Sequence, residues 1–227
     1  MAKFYQVGGS VRDELMGLKS KDIDYAVEAS SFDEMRAAIL ARGGEIFLET
    51  PQYLTIRARV PDLGACDFVL CRKDGAYSDG RHPDSVEVGT ILDDLARRDF
   101  TVNAIAKTEQ GEYEDPYDGI SDIEDRVLQC VGKAEDRFTE DGLRMIRAIR
   151  FQVTKNFDTQ GMDHLLKDYT FFAPRLAGVS NERIREELAK MFEANTPLAL
   201  DLLNYYDGLR NYIFRDKLWL KPTLEER

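Results

Sequence analysis

The 227 residues carry 31 Lys and Arg against 42 Asp and Glu, a formal net charge of −11 at pH 7, with 43% hydrophobic and 32% charged residues. That balance argues against a protein that coats nucleic acid wholesale, and no apolar run approaches the ~20 residues a membrane helix needs, so no membrane partner is expected. It fits a soluble globular chain with ample length for a buried core, in one large domain or two small ones.

The N-terminus enters a patterned strand at once, without the charged-then-apolar stretch of a secretory signal, which predicts the cytoplasm. Cysteine usage agrees: Cys66, Cys71 and Cys130 are an odd number without metal-ligand spacing and are expected to be buried free thiols. The basic residues are clustered at 137–150 and 175–190, where a local basic track is compatible with the acidic total.

The first predicted element is an apolar strand at residues 4–7 that opens into Gly8-Gly9-Ser10-Val11-Arg12-Asp13. A strand ending in two glycines and a serine before a helix points backbone N–H groups at whatever docks there, which suits a phosphate. In Lys21-Asp22-Ile23-Asp24-Tyr25-Ala26-Val27 carboxylates and apolar residues alternate, so a strand puts Asp22 and Asp24 on one face. Two oxygen donors there suit magnesium held against a triphosphate.

Ser31, with Glu34 after it, reads as the capping box of a helix that Gly43-Gly44 ends. Strands follow at 45–48, 54–60 and 65–70, giving a mixed sheet of about five strands with flanking helices. Asp67 lies in the last of these. On the same face as the other carboxylates it would help activate an attacking hydroxyl, and on the opposite face it is a solvent-facing strand residue; register decides. Residues 72–84 are dense in Gly, Asp, Ser and Pro, have no period, and read as a mobile loop and a possible lid, with His82 as a solvated loop residue.

Residues 93–104, which include Arg97-Arg98-Asp99-Phe100-Thr101-Val102-Asn103-Ala104, have a helical pattern in which Asp99 and Asn103 share a face; the arginine pair suits phosphate or ribose, while the charge run alone reads better as a solvated helix face. Glu109-Gln110-Gly111-Glu112 predicts a short hairpin. Asp115-Pro116-Tyr117-Asp118-Gly119 reads as a clasp, since it lacks the alternating ligands of a calcium loop. From residue 134 onward the pattern is all-helical. In 140–151, Asp141, Arg144 and Arg147 step along one face, where carboxylate and guanidinium groups suit the edge of a base, although on the residues alone an i,i+3 salt-bridge ladder is the better reading. Helices are also expected at 158–168, at 181–193 with Ser180 as N-cap, and at 197–208.

Taken in order, the Gly8–Asp13 motif, Lys21-Asp22-Ile23-Asp24, the Arg97–Ala104 motif, Asp115–Gly119 and Glu140-Asp141-Gly142-Leu143-Arg144 resemble the motif series of class II tRNA nucleotidyltransferases, the CCA-adding and poly(A) polymerase family, over residues 3–193. The resemblance implies an α/β head domain of the polymerase-β-like nucleotidyltransferase type, residues 1–133, followed by an all-α neck domain, residues 134–227. It implies two catalytic Mg2+ ions on Asp22 and Asp24 and a nucleotide site that takes in Gly8, Gly9, Ser10, Arg12, Arg97, Arg98, Asp99 and Asn103. Asp141 and Arg144 would pair with the cytosine or adenine edge, Arg147 and Arg150 would add nucleotide contacts, and the 72–84 loop would help the change from C to A.

The implied substrates are CTP and ATP, and the implied partner is the tRNA 3′ end with its acceptor stem. Longer relatives continue into body and tail domains, so a short form is expected. A poly(A) polymerase or a partial CC- or A-adding enzyme is the neighbouring expectation. A non-catalytic nucleotide- or RNA-binding module is the alternative from another class, against which both carboxylates argue.

Overall fold

Alternating apolar residues in residues 3–114 make strands whose two faces are both usable, and both are used. A computed structural model describes residues 2–20, 22–77, 84–168 and 170–215. The chain divides into two compact units, the second taken up from Lys133.

In the first unit β1 (Lys3–Val7) leads into helix α1 (Gly9–Leu15), followed by β2 (Asp24–Glu28), α2 (Phe32–Ala41), β3 (Glu45–Thr50), β4 (Thr55–Val60), β5 (Gly64–Leu70), β6 (Arg72–Asp74), β7 (Val86–Val88), α3 (Ile91–Ala96), β8 (Ala106–Thr108), β9 (Tyr113–Glu114) and α4 (Gly119–Asp125). The sheet has seven strands in the order β3-β4-β5-β2-β1-β8-β9, and β6 and β7 form a separate pair. The expected five strands are all present; the hairpin β8–β9 extends the sheet beyond β1. Strand β2 pairs parallel with β5 and antiparallel with β1, which makes the sheet mixed.

One face is dry. Tyr25 and Val27 of β2, Ile56, Ala58 and Val60 of β4 and Phe68 and Leu70 of β5 pack with Met35 and Ile39 of α2. The pattern i, i+4 on α2 supplies that contact, and Ser31 caps the helix by accepting from the Glu34 N–H at 3.1 Å. The reciprocal arm goes one residue further out: Glu34 accepts from the backbone and hydroxyl of Ser30. On the other face Val7, Ala26 and Cys71 pack with Leu95, Ala104 and Ala106. All three cysteines are free and buried, and burial raises the Cys66 and Cys71 thiols.

Three sequence expectations for this unit are corrected. The 72–84 stretch is not a loop from its first residue, because Arg72–Asp74 is strand β6 and pairs with β7, tied further by Gly75 N–H to Ser85 O at 2.8 Å; His82 lies outside the described residues. The helical pattern of 93–104 stops at Ala96, and Thr101–Asn103 forms a separate 3-10 turn after an extended Phe100. Strand β2 begins at Asp24, so Asp22 precedes the strand rather than sharing its pleat.

The second unit is helical: α5 (Ala134–Glu140), α6 (Leu143–Lys155), α7 (Asp163–Leu166), α8 (Asn181–Tyr205) and α9 (Asp207–Ile213). The helix expected over 158–168 is reduced to a 3-10 turn and the four residues of α7. The two helices expected at 181–193 and 197–208 run together as α8, broken by non-helical dihedrals at Asn195 just before Pro197. Asn195 Oδ1 accepts from the Leu198 N–H at 3.1 Å and so starts the second half. Ser180 stands at the N-cap position without a side-chain bond. The core of this unit is Met145, Ile146, Ile149 and Phe151 of α6 against Ile184, Leu188 and Met191 of α8.

Candidate active site

Gly8 ends β1 and turns the chain into α1 at φ 71°, ψ −134°, a conformation that glycine adopts at low cost and other residues do not. A Cβ there would also stand 2.8 Å from Arg98 Nη1. The glycine therefore sets both the turn and the approach of Arg98 to it. The N–H groups of the first turn, at Gly9 and Ser10, have no partner within the helix. Ser10 is buried, and its hydroxyl donates to Val7 O at 3.2 Å, which ties the start of α1 back to the end of β1.

Arg12 is buried in a polar network. It donates to Asn103 Oδ1 at 2.6 Å and to Asp13 Oδ1 at 2.7 and 2.9 Å, and Asn103 donates on to Asp99 Oδ1 at 2.9 Å. Asp99 also accepts from the Phe100 N–H. Asp99 and Asn103 thus meet as the sequence pattern requires, across a turn and a 3-10 segment instead of along one α-helix. Arg97 and Arg98 are both held by Asp94, whose carboxylate has no solvent exposure: Oδ1 accepts from Arg97 at 2.6 Å and Oδ2 from Arg98 at 3.0 Å. Burial pushes the Asp94 carboxyl up, yet the Arg98 and Arg97 charges and hydrogen bonds outweigh it and the group lies below the usual carboxylate range. Arg98 Nε is a buried donor with no hydrogen-bond partner, in a guanidinium that reaches Gly8. Asp94 is one of the residues that sequence reasoning missed, with Arg57 of the carboxylate cleft another. The signal for Asp94 is the spacing to Arg97 and Arg98 at i,i+3 and i,i+4.

The carboxylates gather in a cleft of about 550 Å³ lined by Asp22, Ile23, Asp24, Phe47, Arg57, Ala65, Cys66 and Asp67. The parallel pairing of β2 with β5 sets Asp24 directly beside Asp67, so the register puts Asp67 on the Asp24 face, opposite the α2 core. The antiparallel pairing of β4 with β5 sets Arg57 beside Asp67 on that same face. Arg57 grips Asp67 with Nε to Oδ1 at 2.5 Å and Nη2 to Oδ2 at 2.6 Å. The Asp24 carboxyl is raised above its ordinary value, first by desolvation in the cleft, then by the Asp67 charge and more weakly by Asp22, against the pull of Arg98 and Arg57.

This is a site short of positive charge. Among the described residues no group of three or more acidic, imidazole or thiol side chains is closed enough to hold a metal as it stands. Magnesium does not require one: it takes oxygen donors, retains waters and uses one or two carboxylates together with substrate phosphates. Asp22 and Asp24, all-oxygen donors in one cleft with an excess of negative charge, fit that ion.

In the helical unit Asp141 is not on the helix that carries Arg144. It ends α5 in extended conformation at φ −151°, ψ 107°, and its Oδ1 accepts from the Leu143 N–H at 3.0 Å at the start of α6. The expected row is therefore Arg144 and Arg147 alone, with Asp141 at its N-terminal end. The step between the helices is Gly142, where a Cβ would stand 2.9 Å from the Arg175 carbonyl group. Arg183 of α8 fixes Asp141, with Nη2 to Oδ2 at 2.6 Å. Arg144 donates to Arg137 O at 3.1 Å and pairs with Glu140. Arg150 pairs with Glu187, which is 3% exposed, and Arg147 and Lys190 lie 3.7 and 3.4 Å from the same carboxylate.

A mixed sheet with a glycine turn, adjacent carboxylates and an arginine pair anchored beside the turn defines a nucleotidyltransferase head fold. The Poly A polymerase head domain family matches residues 4–129, and the chain belongs to that family. The CCA-adding enzyme of Leuconostoc mesenteroides is 36% identical over 212 residues, 90% of this chain and 51% of the relative. That of Streptococcus thermophilus is 38% identical over 191 residues, 84% of this chain and 46% of the relative. The chain spans about half the length of these relatives.

Among solved structures, the Bacillus stearothermophilus CCA-adding enzyme in complex with CTP has a TM-score of 0.79 at 32% identity, over 93% of this chain and 50% of that one. A tRNA nucleotidyltransferase complexed with a primer tRNA and an incoming ATP analog has a TM-score of 0.76 at 26% identity, over 96% of this chain and 61% of that one.

Proposed function

We propose that this chain catalyses template-independent addition of C and A to the 3′ end of tRNA from CTP and ATP, with release of pyrophosphate. The observation that carries the reading is the set of carboxylates Asp22, Asp24 and Asp67 in one cleft of a Poly A polymerase head domain. The relatives named above, including those solved with CTP or with primer tRNA and an ATP analog, support the choice of substrates. The reading assigns catalysis to residues 1–133 and selection of the base to 134–227. It carries with it a cytoplasmic location, and no described helix is long and apolar enough to cross a membrane.

Asp22 and Asp24 would hold two magnesium ions. When bound, these supply activation of the attacking 3′ hydroxyl and stabilisation of charge on the α-phosphate in an in-line displacement. The chain's own groups do the rest. The Gly8–Ser10 turn offers backbone N–H groups to the triphosphate, and Arg98, steered by Asp94 to the turn, offers a donor that no protein group uses. Arg12 and Asn103, locked to one another, suit ribose recognition. Asp141 accepts from an exocyclic amine and Arg144 donates to a ring nitrogen. C and A both present an amine beside an acceptor nitrogen, whereas U and G present the reverse.

Incubation with tRNA ending at its discriminator base and labelled CTP and ATP tests the reading. The expected product is extended by CCA, and an unextended tRNA refutes it. A product of C alone or a long A tract would instead assign the chain to the neighbouring activities. Asp22→Ala is expected to abolish incorporation with no change in the unfolding midpoint, and substantial residual turnover with magnesium would remove Asp22 from the metal site.

A further inference from the structure

The cleft contains a cation of its own. Arg57, Asp67 and Asp24 are neighbours in one row across β4, β5 and β2, each a direct cross-strand partner of the next. The guanidinium engages both oxygens of Asp67, at 2.5 and 2.6 Å, and its charge also acts on Asp22 and Asp24. A bidentate Arg–carboxylate pair is the strongest geometry available to these groups, and it takes up the oxygen atoms that a divalent ion would need.

We propose that Arg57 is a positioning residue that competes with the divalent cation for Asp67. It withholds the third carboxylate in the nucleotide-free chain and yields it only when metal and triphosphate arrive together. The inference rests on the reading of Asp22 and Asp24 as metal ligands. Its physical basis is charge. With Arg57 in place the three carboxylates of the cleft leave at most two net negative charges, and Arg98 acts on Asp24 as well, so a second divalent ion is disfavoured before substrate brings its phosphates.

Arg57 is half exposed and contributes no core contact, so its replacement leaves the fold intact. A divalent ion that takes Asp67 must displace both charge-assisted hydrogen bonds of the Arg57–Asp67 pair, and the loss of one such bond corresponds to about tenfold in affinity.

The test is Mn2+ binding to the full chain without nucleotide, read by electron paramagnetic resonance. Arg57→Ala is expected to bind Mn2+ about tenfold more tightly than the wild type, and the gain is expected to vanish in the double variant Arg57→Ala/Asp67→Asn. Unchanged or weaker binding by Arg57→Ala, or no detectable binding by either protein, overturns the proposal. So does a gain that survives removal of Asp67, since it would reflect charge at a distance and not competition for that carboxylate. The tRNA extension assay separates the two readings: a chain that shows the Mn2+ response but extends no tRNA loses the proposed activity alone, and one that extends tRNA with no Mn2+ response to Arg57→Ala loses this inference alone.

Discussion

Asp94 offers the sharpest quantitative test of how the site is built. Its carboxylate has no exposure and holds two guanidiniums that retain about a fifth of their side-chain surface, 23% for Arg97 and 20% for Arg98. Removing one partner of a buried ion pair costs roughly 3–5 kcal/mol, and water at the two arginines moves Asp94→Ala to the lower end, about 3 kcal/mol. Asp94→Asn keeps an acceptor oxygen and loses the charge, for about 2 kcal/mol.

The pH dependence follows from the depressed carboxyl. The folded state binds the Asp94 proton more weakly than the unfolded chain does, so the stabilisation is complete above the unfolded value and is lost as pH falls below about 4 through the folded one. Urea unfolding from pH 7 down to pH 3 should show Asp94→Asn less stable at neutral pH and converging on the wild type in acid. CTP affinity should fall with it, because Arg98 is no longer steered to Gly8. A loss under about 1 kcal/mol at pH 7 with an unchanged acid limb would refute the assignment of Asp94 as the anchor.

Three further outcomes are expected. Asp24→Asn should abolish nucleotide transfer yet raise the melting temperature of the metal-free chain at pH 7: the folded Asp24 carboxyl is raised, so its penalty sets in as pH climbs from the unfolded value through the folded one and is complete at neutrality. Calorimetry that finds the variant less stable would contradict the charge balance drawn for the cleft. Gly8→Ala should destabilise by about 1–3 kcal/mol through its dihedrals and displace Arg98, weakening triphosphate binding in a calorimetric titration. Replacing Asp141 and Arg144 together by Ala should relax the choice among the four nucleotides in single-turnover incorporation, and intact discrimination against UTP and GTP would remove them from base selection.

The parts of the site that were legible are those written in consecutive residues. Gly8-Gly9-Ser10 announces its turn because only glycine adopts the dihedrals found at Gly8, and Arg97-Arg98-Asp99 with Asn103 announces its polar network because the spacing survives the change from α-helix to 3-10 turn. What was not legible depends on pairing between distant strands or on packing between helices. The face of Asp67 follows from the parallel register of β2 with β5, and neither strand's own alternation contains it. Arg57 alternates with apolar residues along β4, and only the antiparallel register opposite Asp67 makes it part of the cleft.

Asp141 shows the converse failure. The periodicity of Asp141, Arg144 and Arg147 is genuine, yet the helix starts two residues after Asp141, because Gly142 lets the chain pass against the Arg175 backbone and the Asp141 carboxylate is occupied in starting α6 and in pairing with Arg183. A helical period counts residues and is blind to a step between two helices. The consequence for mechanism is specific: Asp141 is bonded to α6 through the Leu143 and Arg144 N–H groups and to α8 through Arg183, so the carboxylate that is assigned to the base edge is held in register with Arg144 from both helices.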